Sequence, residues 1–192
     1  MTRATWIFGY GSLASPASIA STIGREPRPA MRVAHVEGFG RRWNYGSKVL
    51  RGDWTHDGID VVGGLVVSLG VQAGPDESCN GVVFRVDADE LARLDWRERD
   101  YARVDVTEAV TIDERDGDDG VVDGAIEIYV PRPSAIDRYE RARDERRAAV
   151  RSEYWQLVRE SFAALGDSHA EWYDRTLAPD VPIVDVALHP LG

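Results

Sequence analysis

Cysteine is almost missing from this chain: Cys79 stands alone among 192 residues. That excludes an internal disulfide and a thiolate metal cluster. Lysine is as scarce, since Lys48 is the one lysine and every other basic residue is arginine. Histidine occurs four times, at positions 35, 56, 169 and 189, with no H-x-H or H-x-x-x-H spacing. No zinc site is therefore expected; no other resident metal and no cofactor is expected of the chain either. Long hydrophobic runs are missing too. The longest apolar stretch, Val61 to Val71, is broken by glycines and a serine and falls short of a membrane span. Positive charge is in deficit, with a formal net charge of −10 and a pI near 4.9. Nucleic acids and anionic membranes need a basic footprint, so neither is an expected partner. The N-terminus shows no charged-then-apolar leader, because its short apolar run ends at Gly9. The expectation is a cytoplasmic protein of unspecified oligomeric state.

What is present is a 43% hydrophobic composition, enough for one globular domain with a sizeable core. Strand-type segments fill the first two thirds: Thr5–Phe8, Met31–Phe39, Arg42–Tyr45, Gly63–Val71, Gly81–Val86, Arg103–Ile112 and Gly124–Val130. Each is rich in Val, Ile or aromatics and bounded by Gly or Asp. The acidic run Asp113 to Gly120 reads as a hairpin tip. Its calcium-loop look fails on spacing, with Arg115 at the third position and Gly124 at the twelfth. A helix is expected from Ala88 to Arg97, with Asp87 as N-cap and Glu90 completing a capping box. A long second helix is expected from Ile136 to Leu165, ended by Gly166. Tyr154, Trp155, Val158, Phe162 and Leu165 form its buried face, and 138–151 a solvated charged one. The end, from Pro179 on, reads as extended chain along the surface.

The hexapeptide Phe8-Gly9-Tyr10-Gly11-Ser12-Leu13 carries the most information. A buried strand breaks into two glycines around an aromatic, and such a turn can present consecutive N–H groups to an anion. Gly9, Gly11 and Ala14 also spell the dinucleotide fingerprint G-x-G-x-x-A. However, a Rossmann unit needs alternating strands and helices and an acid about 20 residues on. Here strand follows strand, and Glu37 comes late. Cys79, beside Asn80 and Gly81, is a conceivable nucleophile, but no histidine is placed to deprotonate it, and lone cysteines are usually packing.

A second feature is Leu91-Ala92-Arg93-Leu94-Asp95-Trp96-Arg97-Glu98-Arg99-Asp100-Tyr101. On a helix Leu91, Leu94 and Glu98 share one face, so Glu98 extends an apolar stripe toward the core. Desolvation and the helix C-terminal dipole would both raise its pKa, as a neutral-pH general acid/base requires. The alternative is a fraying helix end with Glu98 paired to Arg97 or Arg99 at the surface. Periodicity alone does not choose.

FGYGSL followed by a helix-terminal LDWRERDY resembles the γ-glutamylcyclotransferase superfamily, within it the ChaC-like, glutathione-specific group. The stretch Gly38 to Trp43 with Ser47, Arg51 and Gly52, and the strand Gly81–Val86, add to the likeness, which covers most of residues 5 to 130. After Leu13 the chain departs from it with Ala14-Ser15-Pro16, where that group has a tryptophan. The resemblance implies an α+β fold: a small mixed β-barrel over about 5–130, flanked by helices, with the helical C-terminal part over about 136–192. It implies release of 5-oxoproline from a γ-glutamyl amine or peptide, by attack of the substrate's own α-amine on its γ-carbonyl. Glu98 would be the general acid/base, and Tyr10, Gly11, Ser12 and Leu13 would hold the γ-glutamyl portion. Tyr101, Tyr129 and Tyr139 would lie near the substrate, and Arg51, with Arg41 and Arg42, could meet a distal carboxylate. The other class of reading is a non-catalytic barrel that binds a small acidic metabolite or a protein.

Overall fold

The apolar run at the beginning of the chain forms strand β1 (Ala4–Gly9) in a computed structural model that describes residues 4–27, 31–113 and 122–190. Both edges of β1 are paired. It runs antiparallel to β3 (Ile59–Val86), from Thr5↔Val86 to Gly9↔Val82. It runs parallel to β6 (Gly124–Pro131), from Ala4↔Gly124 to Phe8↔Ile128. A central strand covered on both faces is apolar without alternation, which is why Trp6, Ile7 and Phe8 are buried in succession. Trp6 and Phe8 join one part of the core with Val36, Val67 and Val158, and Ile7 joins another with Ile19, Phe84 and Leu94.

Most of the sheet is one long hairpin. β2 (Arg32–His56) meets β3 at Asp57-Gly58, whose φ values are 50° and 75°. Two positive φ values give the turn whose twist suits a hairpin. The β2–β3 register shifts between Glu37 and Phe39, Arg42 and Tyr45, Gly46 and Arg51, and Gly52 and Trp54. Such bulges bend and twist a strand. The expected strands 31–39 and 42–45 are thus one bent strand, as are 63–71 and 81–86. The expected strand 103–112 is instead divided. β4 (Tyr101–Asp105) pairs with β6, β5 (Val110–Ile112) pairs with β2, and a 3-10 turn lies between them. The order β4-β6-β1-β3-β2-β5 is a mixed sheet flanked by helices, so the α+β class expected from the sequence is what forms.

Helices α1 (Pro16–Ile23) and α2 (Ala88–Arg97) lie against each other on the Ile7 side. α2 has the expected bounds. The Asp87 carboxylate accepts from Glu90 N–H at 2.8 Å, and the Glu90 carboxylate accepts from Asp87 N–H at 2.9 Å. α1 carries its own signals, a Ser15 cap, Pro16 in the first turn and Gly24 at φ 84° after the last.

The long helix from Ile136 to Leu165 does not form. In its place are α3 (Pro133–Asp144), β7 (Ala148–Arg151), α4 (Ser152–Ala163) and α5 (Asp167–Tyr173). Arg146 takes φ 56°, which ends helical geometry, and Ala148, Ala149 and Val150 are buried as a strand parallel to Leu65–Val67. Gly166, at φ 123°, precedes α5 rather than closing a longer helix. The 138–151 stretch is not one solvated face either: Arg138 donates from Nε to Gly46 O and from Nη2 to Asp100. Past Pro179, short strands β8 (Ile183–Val184) and β9 (Ala187–Leu188) pair with β7 and β2. The acidic run 114–120 lies outside the described residues. Among the described residues no helix is long and apolar enough to cross a membrane.

Because both halves of the capping box are made, Asp87→Ala should lower stability by about 1 kcal/mol in urea unfolding. An unchanged midpoint would mean that α2 is held by packing alone.

Candidate active site

The ladders on both sides of β1 end at Phe8 and Gly9, so the chain from Tyr10 onward leaves the sheet. It turns back at once. A Cβ on Gly9 would lie 2.2 Å from Leu13 O, so only a residue without a side chain permits this approach. Ser12–Ala14 make one 3-10 turn, closed by Ala14 N–H to Gly11 O at 2.8 Å and Ser15 N–H to Ser12 O at 3.1 Å. Gly11 is less constrained, since a Cβ there would make only ordinary contact with the Tyr154 hydroxyl at 3.4 Å.

Glu98 arrives from the other direction. It is the C-cap of α2, its N–H bonded to Leu94 O at 2.8 Å, and Tyr101 N–H returns to Glu98 O at 2.8 Å to start β4. Leu94 is fully buried below it, and the Glu98 side chain is only 14% exposed. Its carboxylate and the Tyr10–Leu13 turn line one cavity of about 40 Å³, walled further by Leu69, Tyr101, Tyr129 and Tyr154. Both sequence readings of Glu98 hold in part. It does pair with Arg97, Nε to Oε1 at 2.9 Å, but it does so under cover rather than at the surface.

Burial raises the Glu98 carboxyl above its ordinary value, and the Arg97 guanidinium opposes that rise. Burial also pushes Tyr10 and Tyr101 well above the usual phenol value, so both stay protonated as donors. Their hydroxyls are already engaged. Tyr10 donates to Tyr129 O at 2.6 Å, and Tyr101 donates to Leu69 O at 3.0 Å. The Tyr129 hydroxyl turns away to Asp95 Oδ1 at 2.8 Å, an oxygen that also takes Arg103 Nε at 2.9 Å. Tyr45 stacks on Tyr101 with centroids 4.2 Å apart. The tyrosines thus form a rigid aromatic wall around a single carboxylate.

The structure therefore gathers Glu98, Tyr10, Gly11, Ser12, Leu13, Tyr101 and Tyr129 at one place. It does not bring Tyr139 or Arg51 there. Tyr139 points its hydroxyl at Asp180, and Arg51 donates to Ser47 O and Leu50 O at a bend of β2. Arg41 is buried against the stacked Phe162 and Tyr173 rings, and Arg42 pairs with Glu77. Cys79 is buried, its thiol pushed up to about 11 by burial, so it is a packing residue and not a thiolate. Sequence reasoning missed Leu69, and it assigned Tyr154 only to a packing face. Nothing local announces either, because α4 and β3 reach the cavity through non-local pairing. Among the described residues no cluster of three or more His, Cys, Asp or Glu side chains could hold a metal ion.

The chain belongs to the ChaC-like proteins, whose family model matches residues 5–149. The fold is shared with a solved structure described as a gamma-glutamyl cyclotransferase, at 15% identity and TM-score 0.52, over 92% of this chain and 90% of that one. It is shared also with the uncharacterized protein loc79017 from Homo sapiens, at 14% identity and TM-score 0.53, over 96% and 94% of the two chains. None of the curated proteins matches the sequence.

The close approach at Gly9 yields a direct test. Gly9→Ala should displace the Leu13 carbonyl and cost about 1–3 kcal/mol in urea unfolding. A variant as stable as the parent would show that the turn is not set by this contact.

Proposed function

We propose that this protein is a γ-glutamylcyclotransferase that converts a γ-glutamyl amine or peptide to 5-oxoproline and the free amine. The observation that carries the reading is that the Glu98 carboxylate and the Tyr10–Leu13 turn line the same small cavity. The fold neighbour described as a gamma-glutamyl cyclotransferase favours the same class.

The chemistry needs no enzyme nucleophile, because the substrate carries its own. The Glu98 carboxylate takes a proton from the α-ammonium, and the α-amine attacks the γ-carbonyl carbon. Backbone N–H groups of the Tyr10–Leu13 turn hold the γ-glutamyl portion and the oxygen on which charge develops. As the tetrahedral centre collapses, the Glu98 carboxyl gives its proton to the leaving nitrogen and that bond breaks; the ring nitrogen's second proton then passes through the freed carboxylate to the departing amine, which leaves as an ammonium. No water is consumed. Holding a flexible chain in its near-attack shape supplies much of the rate, and the tyrosine wall provides the shape. A carboxyl raised by burial is closer in basicity to the groups with which it exchanges protons, which makes each transfer easier. The leaving amine is unspecified: the departure after Leu13 leaves glutathione one member of a γ-glutamyl class.

Incubating the protein with a panel of γ-glutamyl peptides and amines should release 5-oxoproline from at least one. Glu98→Gln should abolish the activity by 100-fold or more, on the order of general acid/base contributions. The variant should melt no lower than the parent at neutral pH, because it removes a charge that burial disfavours. Full activity in Glu98→Gln would end the mechanism. Binding of glutamate-like ligands without turnover would favour the non-catalytic reading. Glu98 must be ionised to act as base, so kcat/KM should fall as pH drops through its raised pKa, with a midpoint above 4.5. A rate that is flat to below that value would contradict this role.

A further inference from the structure

Arg97 and Glu98 are adjacent in sequence, and adjacent side chains on a continuous helix do not face each other. They meet here because Glu98, at φ −95° and ψ 27°, is already leaving the helix. The rest of the Arg97 guanidinium is spent on the opposite wall of the site. Its Nη2 donates to Ser12 Oγ at 2.8 Å and to Ser18 Oγ at 3.3 Å. Its Nη1 donates to Thr22 Oγ1 at 2.7 Å and to Ser18 O at 3.3 Å. One planar fork thus binds the end of α2, the 3-10 turn of FGYGSL and helix α1, using all three nitrogens.

We infer that Arg97 is a positioning residue of the site: it fixes the distance between Glu98 and the Tyr10–Leu13 turn and leaves Glu98 Oε2 as the oxygen that carries the proton. This rests on the γ-glutamylcyclotransferase reading for its consequence in rate, but not for its geometry. Oε1 is the atom engaged by Arg97 Nε, so Oε2 is the oxygen that this contact leaves unheld in a side chain that lines the cavity. The other titratable groups set around Glu98 are Tyr10 after β1, Tyr45 of β2, Tyr101 of β4, Tyr129 of β6 and Tyr154 of α4. Glu98 raises each of them. Behind them stand Asp95 with Arg103 beside Tyr129, and Asp100 with Lys48 and Arg138 toward Tyr45. Arg97 is the cation that acts on Glu98 itself, against desolvation. It does so at 27% side-chain exposure, where a charge pair is less screened than at the surface.

The test separates charge from geometry. Glutamate carboxyl carbons are labelled with 13C, the Glu98 signal is identified by its loss in Glu98→Gln, and its titration is followed by NMR. Arg97→Met should raise the Glu98 midpoint by about one pH unit. It should lower kcat about 10- to 100-fold, through loss of the fixed distance. Arg97→Lys keeps the charge but not the fork, so its midpoint should stay near that of the parent while kcat remains reduced. Arg97→Gln stands in if the Met variant does not fold. An unchanged midpoint in both uncharged variants would overturn the inference, as would a kcat equal to the parent's. A parent protein that releases 5-oxoproline from no substrate would instead sink the functional reading, and the titration would still decide the role of Arg97.

Discussion

The fold and the site both depend on where one ladder stops. β1 is paired on both edges from Thr5 to Phe8 and buried from Trp6 to Phe8, so its position is over-determined there. Beyond Gly9 neither neighbour follows. The chain must turn within a residue or two or lose its packing, and Gly9 permits a turn so tight that Leu13 O comes back against it. A rigid strand thereby delivers a sharply curved backbone to a fixed point. Backbone groups placed in this way need no reorganisation when a charged ligand arrives, which is the physical basis of preorganised binding.

Against that fixed turn the protein sets a carboxylate whose environment is contested. Burial favours its neutral form, and Arg97 favours its charged form. Burial outweighs Arg97, so the carboxyl stays above its ordinary value, though less far than burial alone would take it. Around it Tyr10, Tyr101 and Tyr129 spend their hydroxyls on Tyr129 O, Leu69 O and Asp95. These bonds tie the turn to β6, β4 to β3, and β6 to α2. The same bonds that satisfy buried polar groups also hold the walls apart.

What could be read from the sequence was what is local. α2 was legible to the residue because its capping box, its apolar spacing and its C-terminal position all lie within eleven residues. The FGYGSL turn was legible because glycines announce a backbone demand. The Leu91–Leu94 stripe offered Glu98 as a core-facing carboxylate but left a surface pair with Arg97 or Arg99 equally open, because periodicity does not report what packs beyond the helix end. The long C-terminal helix failed for a non-local reason. Ala148–Val150 pairs with Leu65–Val67, and no helical propensity in 136–165 could report that parallel ladder. The hairpin at Asp57-Gly58 was signalled by its dipeptide and passed over, so two strands that are continuous were divided. Tyr154 joins the cavity only because β7 redirects α4, which is why its spacing suggested packing alone. Tyr139 and Arg51, placed near the substrate by family likeness, are tied instead to Asp180 and to the bend of β2.

The decisive measurement is a structure of the protein with 5-oxoproline bound. The lactam ring should lie in the cavity between Tyr10–Leu13 and Glu98, with ligand oxygens on the backbone N–H groups of the turn and the ring nitrogen facing the Glu98 carboxylate. A ligand seated elsewhere on the protein, or a Glu98 carboxylate turned out to solvent in the complex, would contradict it.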